Sequence, residues 1–165
     1  MTCEIKDYRF IVDVMLGKLA KWLRILGFDV LYYSNINDES ILRIALSQNR
    51  ILLTKDTRLV LNAKKLSLKY IFIKENNCFY QLKGVISELN IMKDDLCILS
   101  RCTQCNTPIK HVQREDVEGL VPDFIYNTVF IFSRCESCGR VYWKGSHQDR
   151  IGKILDRLFE NKKPG

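Results

Sequence analysis

Over the first 97 residues, short β-type runs alternate with longer helical patterns, and that alternation leaves few folds open. Each strand, helix, strand step must cross over right-handed, which builds a parallel sheet with helices on both faces. Arg9-Phe10-Ile11-Val12 reads as a buried strand. Leu16, Leu19, Ala20, Leu23 and Leu26 then recur on one helix face until Gly27 offers a C-cap. Asp29 to Tyr33 is the second strand, and a polar loop, Ser34 to Asn37, leads into a helix over about Asp38 to Gln48 that Asn49 ends. Arg50 to Thr54 and Lys69 to Ile73 are the third and fourth strands. Gln81 to Leu89, with Leu82, Val85, Ile86 and Leu89 at helical spacing, closes the unit. The expected class is α/β, three layers, with strand order 2-1-3-4.

From Ile98 the texture changes to short β-rich stretches punctuated by Cys, Pro and Gly, so a smaller unit is expected over 98–150 after a first one over 1–97. Cys102-Thr103-Gln104-Cys105 and Cys135-Glu136-Ser137-Cys138, with 29 residues between them, form the ligand spacing of a zinc ribbon. Each pair sits on a tight turn that offers two thiolates to one tetrahedral ion. A closed four-cysteine set leaves no open position, so the zinc is expected to be structural. Gly139 lets the second turn close, and Arg101, Arg134 and Arg140 flank the thiolate charge. Four ordinary buried cysteines, or a redox pair, are the competing readings. Cys3, Cys78 and Cys97 are expected to pack as small hydrophobes. Ile151, Ile154, Leu155 and Leu158 mark a last helix within 151–165, fraying from Asn161.

Charge narrows the class of partner. The chain has 26 Lys and Arg against 19 Asp and Glu, a net +7 that favours polyanions, and residues 1–97 hold 15 of the cations against 11 acids. No apolar run approaches the roughly 18 to 20 residues of a membrane span. The opening Met1 to Asp7 mixes charges and has no signal-peptide core, so a cytoplasmic protein without stable disulfides is expected.

In an open parallel sheet the crevice lies outside the carboxyl ends of the strands. Three acids fall there: Asp13 after strand one, Asp38 opening the helix after strand two, and Asp56 two residues past Thr54. Converging carboxylates repel unless a hard cation such as Mg²⁺ or Mn²⁺ joins them, and a metal nuclease site is the natural product. Each acid also has a plainer reading: Asp38 beside Asn37 as an N-cap, Asp56 as a turn or cap residue, Asp13 as a cap for the helix containing Leu16.

The residues from Asp13 to Asp29, DVMLGKLAKWLRILGFD, followed by Arg50-Ile51-Leu52-Leu53-Thr54-Lys55-Asp56, resemble the PIN-like RNase family named after the C-terminal domain of the mut-seven exonuclease. Arg101-Cys102-x-x-Cys105-Asn106, Val121-Pro122 and the stretch from Cys135 to His147 resemble that family's zinc-ribbon portion, and the similarity runs from about Arg9 to Arg150. The resemblance implies a PIN-like fold and a metal-dependent ribonuclease whose acidic positions fall on Asp13, Asp38 and Asp56. Full PIN domains present a fourth acid; here Thr57 and Arg58 follow Asp56, and Glu39 is the nearest substitute. One cation plus a substrate phosphate is therefore the expected arrangement.

On this reading the cation held by Asp13 and Asp56, assisted by Asp38, promotes hydrolysis of an RNA phosphodiester. Lys18, Arg24, Thr54 and Lys55 are the expected substrate contacts; Lys18, Lys21 and Arg24 also read as a solvated helix face, Lys21 more so than the others, and Thr54 reads equally as strand-end packing. Tyr142, Trp143 and His147 either meet RNA or support the ribbon. RNA is the expected partner, alone or in a ribonucleoprotein. A non-catalytic RNA-binding or ribonucleoprotein-binding module is the alternative, and an aspartyl-phosphate enzyme fits poorly because Met15 stands where a second aspartate is needed.

Overall fold

The structure is a computed structural model described over residues 7–160, without the side chains of residues 146–148. It divides into two compact units, Met1–Asn106 and Thr107–Gly165. The first therefore continues past the change of texture at Ile98 and takes in the first Cys-x-x-Cys turn.

The first unit runs β1 (Arg9–Val12), α1 (Gly17–Ile25), β2 (Asp29–Tyr32), α2 (Asp38–Ser47), β3 (Ile51–Thr54), α3 (Thr57–Lys65), β4 (Tyr70–Phe72) and α4 (Cys78–Glu88). The four strands are parallel in the order β2-β1-β3-β4, as the alternation predicts. Every residue of β3 is buried, and β1 is nearly so, which is why Phe10-Ile11-Val12 and Ile51-Leu52-Leu53 read as apolar runs without alternation. The chain steps one way from β1 to β2 and the other way from β2 to β3 and on to β4, so right-handed crossovers put α1 on the face opposite α2 and α3. Ile11 and Leu52 accordingly join Ile41, Leu42, Ala45, Leu59 and Ala63 in one core.

Helix α3 goes beyond the elements named from sequence. Its apolar signal is weak, since only Leu59 and Ala63 are buried and Leu61 faces solvent. Gly27 ends α1 as expected, at φ 101°, where its N–H donates to Arg24 O and the Phe28 N–H donates to Leu23 O. A Cβ there would lie 2.4 Å from the Cys97 carbonyl oxygen, so only glycine fits.

The second unit runs β5 (Ile109–Val112), α5 (Asp123–Thr128), β6 (Phe132–Cys135), β7 (Val141–Trp143) and α6 (Ser146–Phe159). Its strands form an antiparallel sheet in the order β5-β6-β7 over a small core of Val117, Val121 and Phe132, against which Trp143 packs. Ile151, Leu155 and Leu158 are the buried stripe of α6. No helix among the described residues is long and apolar enough to cross a membrane.

Candidate functional site

At the carboxyl edge of the parallel sheet, Asp13 continues the β1 ladder by donating its N–H to Leu53 O at 3.0 Å. Its side chain is 5% exposed. One residue further along β3, Thr54 is fully buried and its Oγ1 donates to Asp13 Oδ2 at 2.8 Å, while the Asp56 N–H donates to the same Oγ1 at 2.9 Å. With that N–H occupying the oxygen, the hydroxyl hydrogen is directed to Asp13, which therefore acts as an acceptor. Thr54 thus ties Asp13 to the backbone of Asp56.

The plainer reading of Asp56 holds as well: Oδ1 caps α3, accepting from the N–H groups of Arg58 at 2.7 Å and Leu59 at 3.4 Å. Both bonds use one oxygen. For Asp38 the cap reading fails, because Asn37 is the N-cap of α2 and accepts from the Ser40 N–H; Asp38 lies exposed in the first turn, with Glu39 beside it. Asp13 makes no side-chain cap bond. Sequence reasoning missed Tyr32 at the end of β2, whose hydroxyl donates to Val14 O at 3.0 Å and lies over Gly17, where a Cβ would meet it at 2.8 Å.

The basic residues divide. Lys18 is exposed on α1, and its charge acts on Cys78 in the first turn of α4. Burial pushes the Cys78 thiol above its ordinary value, and Lys18 offsets part of that. Lys55 donates to Asn76 Oδ1. Arg24 departs from the expected substrate contact. It is 6% exposed and donates to Val30 O through Nε at 3.0 Å and Nη2 at 2.9 Å, and through Nη1 to Thr103 O at 3.2 Å and Gln104 O at 2.8 Å. It braces the first cysteine turn, and its position four residues after Ala20, on the buried stripe of α1, is the signal for that.

Both cysteine turns are built alike. The residue after the second cysteine takes a left-handed conformation, Asn106 at φ 70° and Gly139 at φ 75°. Its N–H donates to the carbonyl of the first cysteine at 2.9 Å in each case, Asn106 to Cys102 and Gly139 to Cys135. The arginine before each pair closes the turn by donating to that residue's carbonyl, Arg101 to Asn106 O at 3.0 Å and Arg134 to Gly139 O at 3.3 Å. Arg140 is exposed.

Asn106 does more than Gly139. Its Oδ1 accepts from the Val30 N–H at 2.9 Å and its Nδ2 donates to Asp29 Oδ1 at 2.8 Å, while Asp29 also receives Arg50 at 2.8 and 3.2 Å. Burial raises the Asp29 carboxyl, but the hydrogen bonds from Arg50 and Asn106, together with the charges of Arg50 and Arg101, outweigh it and hold the group below its ordinary value.

The sulfurs of Cys102, Cys105, Cys135 and Cys138 all lie within 4.8 Å of one another. A tetrahedral zinc with bonds of about 2.3 Å sets its sulfurs roughly 3.8 Å apart, so the quartet fits one such ion. Among the described residues it is the group of three or more His, Cys, Asp or Glu side chains placed to hold a metal; Asp13, Asp38 and Asp56 do not form one. Cys97 is buried and disulfide-bonded, which departs from the expected thiol. Cys3 and the side chain of His147 lie outside the description. Tyr142 and Trp143 lie half-buried on β7, Trp143 against the small core.

A family model described as Mut7-C RNAse domain matches residues 8–155. No curated protein matches the chain.

Proposed function

The chain belongs to the Mut7-C RNAse domain family, and from that premise we propose that it hydrolyses RNA phosphodiester bonds at the carboxyl edge of a PIN-like sheet. The observation that carries this reading is the Thr54 hydroxyl joining Asp13 to Asp56 where two central parallel strands end. Hard carboxylate oxygens suit Mg²⁺ or Mn²⁺, and Asp13 and Asp56, with Asp38 or Glu39 from α2, are the residues that would hold it. When bound, that cation supplies Lewis-acid charge to the phosphate and eases deprotonation of water.

The chain's own part is positioning. Thr54 holds Asp13 through Oδ2 and the α3 cap holds Asp56 through Oδ1, so Asp13 Oδ1 and Asp56 Oδ2 are the oxygens that would meet a cation. Lys18 and Lys55 would meet substrate phosphates, and the four cysteines would hold a structural zinc whose ribbon helps present RNA or a ribonucleoprotein.

The test is cleavage of labelled single-stranded RNA, with a DNA arm, by the zinc-loaded full-length protein in Mn²⁺. Cleavage that falls in Asp13→Asn supports the proposal; cleavage unchanged in Asp13→Asn and Asp56→Asn overturns it. A non-catalytic RNA-binding module is favoured by one observation, the capping work of Asp56, and the same assay separates it: RNA bound and left intact.

A further inference from the structure

The segment between the two cysteine pairs carries a surface that the nuclease reading does not use. Phe124 is 74% exposed, Phe130 72% and Ile131 65%, and Leu120 is also exposed. Isolated exposed apolar residues are ordinary; large ones gathered in one short stretch are not, and they mark interaction sites. They are not spare core, because Val117, Val121 and Phe132 from the same stretch already fill the interior of the sheet.

The stretch is also held in shape. The Arg114 guanidinium lies 4.5 Å from the centre of the Tyr126 ring and 5.4 Å from that of Phe130, and its Nε is buried with no hydrogen-bond partner among the described residues. An exposed phenylalanine braced by a stacked arginine loses little freedom on binding, which is the economy that hot-spot residues show.

Charge selects the occupant. From His111 to Ser133 the sequence has one cation, Arg114, against Glu115, Asp116, Glu118 and Asp123. All four carboxylates are exposed, and none is in an ion pair among the described residues. A phosphate backbone would be repelled here, and a second copy of the same patch would bring like charges together.

We propose that Leu120, Phe124, Phe130 and Ile131, with their acidic neighbours, dock a protein partner whose contact face has apolar anchors within a lysine- and arginine-rich rim. The proposal is independent of catalysis, and either can fail alone.

It is tested on the full-length, zinc-loaded protein with three fluorescent probes: amphipathic peptides carrying Leu and Phe anchors among Lys and Arg, the same peptides with Glu and Asp in place of the cations, and a single-stranded RNA oligomer. The basic peptides should bind, more weakly as salt rises, and Phe124→Ser with Phe130→Ser should weaken them at least about tenfold. Both side chains are largely in solvent, so the fold should persist; Glu118→Lys with Asp123→Lys is the second variant, and it should weaken the basic peptides while leaving zinc content unchanged. Equal binding of acidic and basic peptides, no peptide binding, RNA binding lost in the Phe variants, or a dimer in sedimentation dispersed by the Phe variants would each overturn the proposal.

Discussion

The cysteine quartet and the carboxylate edge are both candidate metal sites, and they are assembled in opposite ways. At the quartet, a backbone turn and an arginine shape each cysteine pair, the Asn106 network anchors the first, and the four sulfurs lie within 4.8 Å of one another. At the edge, one oxygen of Asp13 and one of Asp56 already have hydrogen-bond work, and Asp38 stands exposed on its helix. A soft-ligand site of the first kind would be part of the fold and would keep its ion, whereas a hard-ligand site of the second kind would be completed only when cation and phosphate arrive. Chelators should therefore strip the edge readily and the quartet reluctantly.

The strongest way to break this comparison is at the quartet. Cys135→Ser, or exhaustive chelation, removes an interaction on the scale of about 10 to 16 kcal/mol. The expected result is loss of one zinc per chain by elemental analysis together with loss of near-ultraviolet dichroism from Tyr142 and Trp143. Retention of that signal without zinc would make the quartet incidental to the fold.

At the edge, Asp13→Asn should lower cleavage by about a hundredfold or more. Asp56→Asn is the sharper variant, because asparagine caps a helix as well as aspartate does. It should leave the unfolding free energy within about 0.5 kcal/mol of the parent while cleavage collapses; equal loss of both would reduce Asp56 to its cap.

Between the two cysteine turns, Asn106→Ala removes the bonds to Val30 and Asp29 and should cost about 1 to 3 kcal/mol in chemical denaturation. Gly139→Ala has open space, with Arg134 Nη2 no nearer than 3.6 Å to the added Cβ, so only its left-handed backbone is penalised, at about 1 to 2 kcal/mol. If Asn106→Ala costs less than about 0.5 kcal/mol, the side chain of Asn106 adds nothing to its turn.

The smallest effect is acid sensitivity at Asp29. Its folded carboxyl is held below the ordinary value, so its contribution is present above the unfolded pKa of about 4 and is lost as pH falls through the lower folded value. Asp29→Asn should lower stability at neutral pH and flatten the decline below about pH 4, as followed by thermal melts.

Much of this was legible in the residues. Strand alternation leads to the 2-1-3-4 order, and that order dictates which strand ends meet, so Asp13, Thr54 and Asp56 could be grouped without coordinates. The doubled cysteine spacing led to the quartet directly. What escaped was the work of polar side chains that join distant segments. Arg24 reads as a solvated cation unless its place on the buried stripe of α1 is weighed. Asn106 reads as loop unless it is set beside Gly139 at the matching position of the other turn. Phe124 and Phe130 sit in a stretch with no clear periodicity, where sequence gives no sign of which apolar residues face solvent.

Crystals of the full-length protein soaked in Mn²⁺ test the central claim most directly. Anomalous density beside Asp13 and Asp56, reduced in Asp13→Asn and distinct from the ion at the four cysteines, is the predicted result. Metal at the cysteines alone, with the carboxylate edge empty even when an RNA oligomer is bound there, would contradict it.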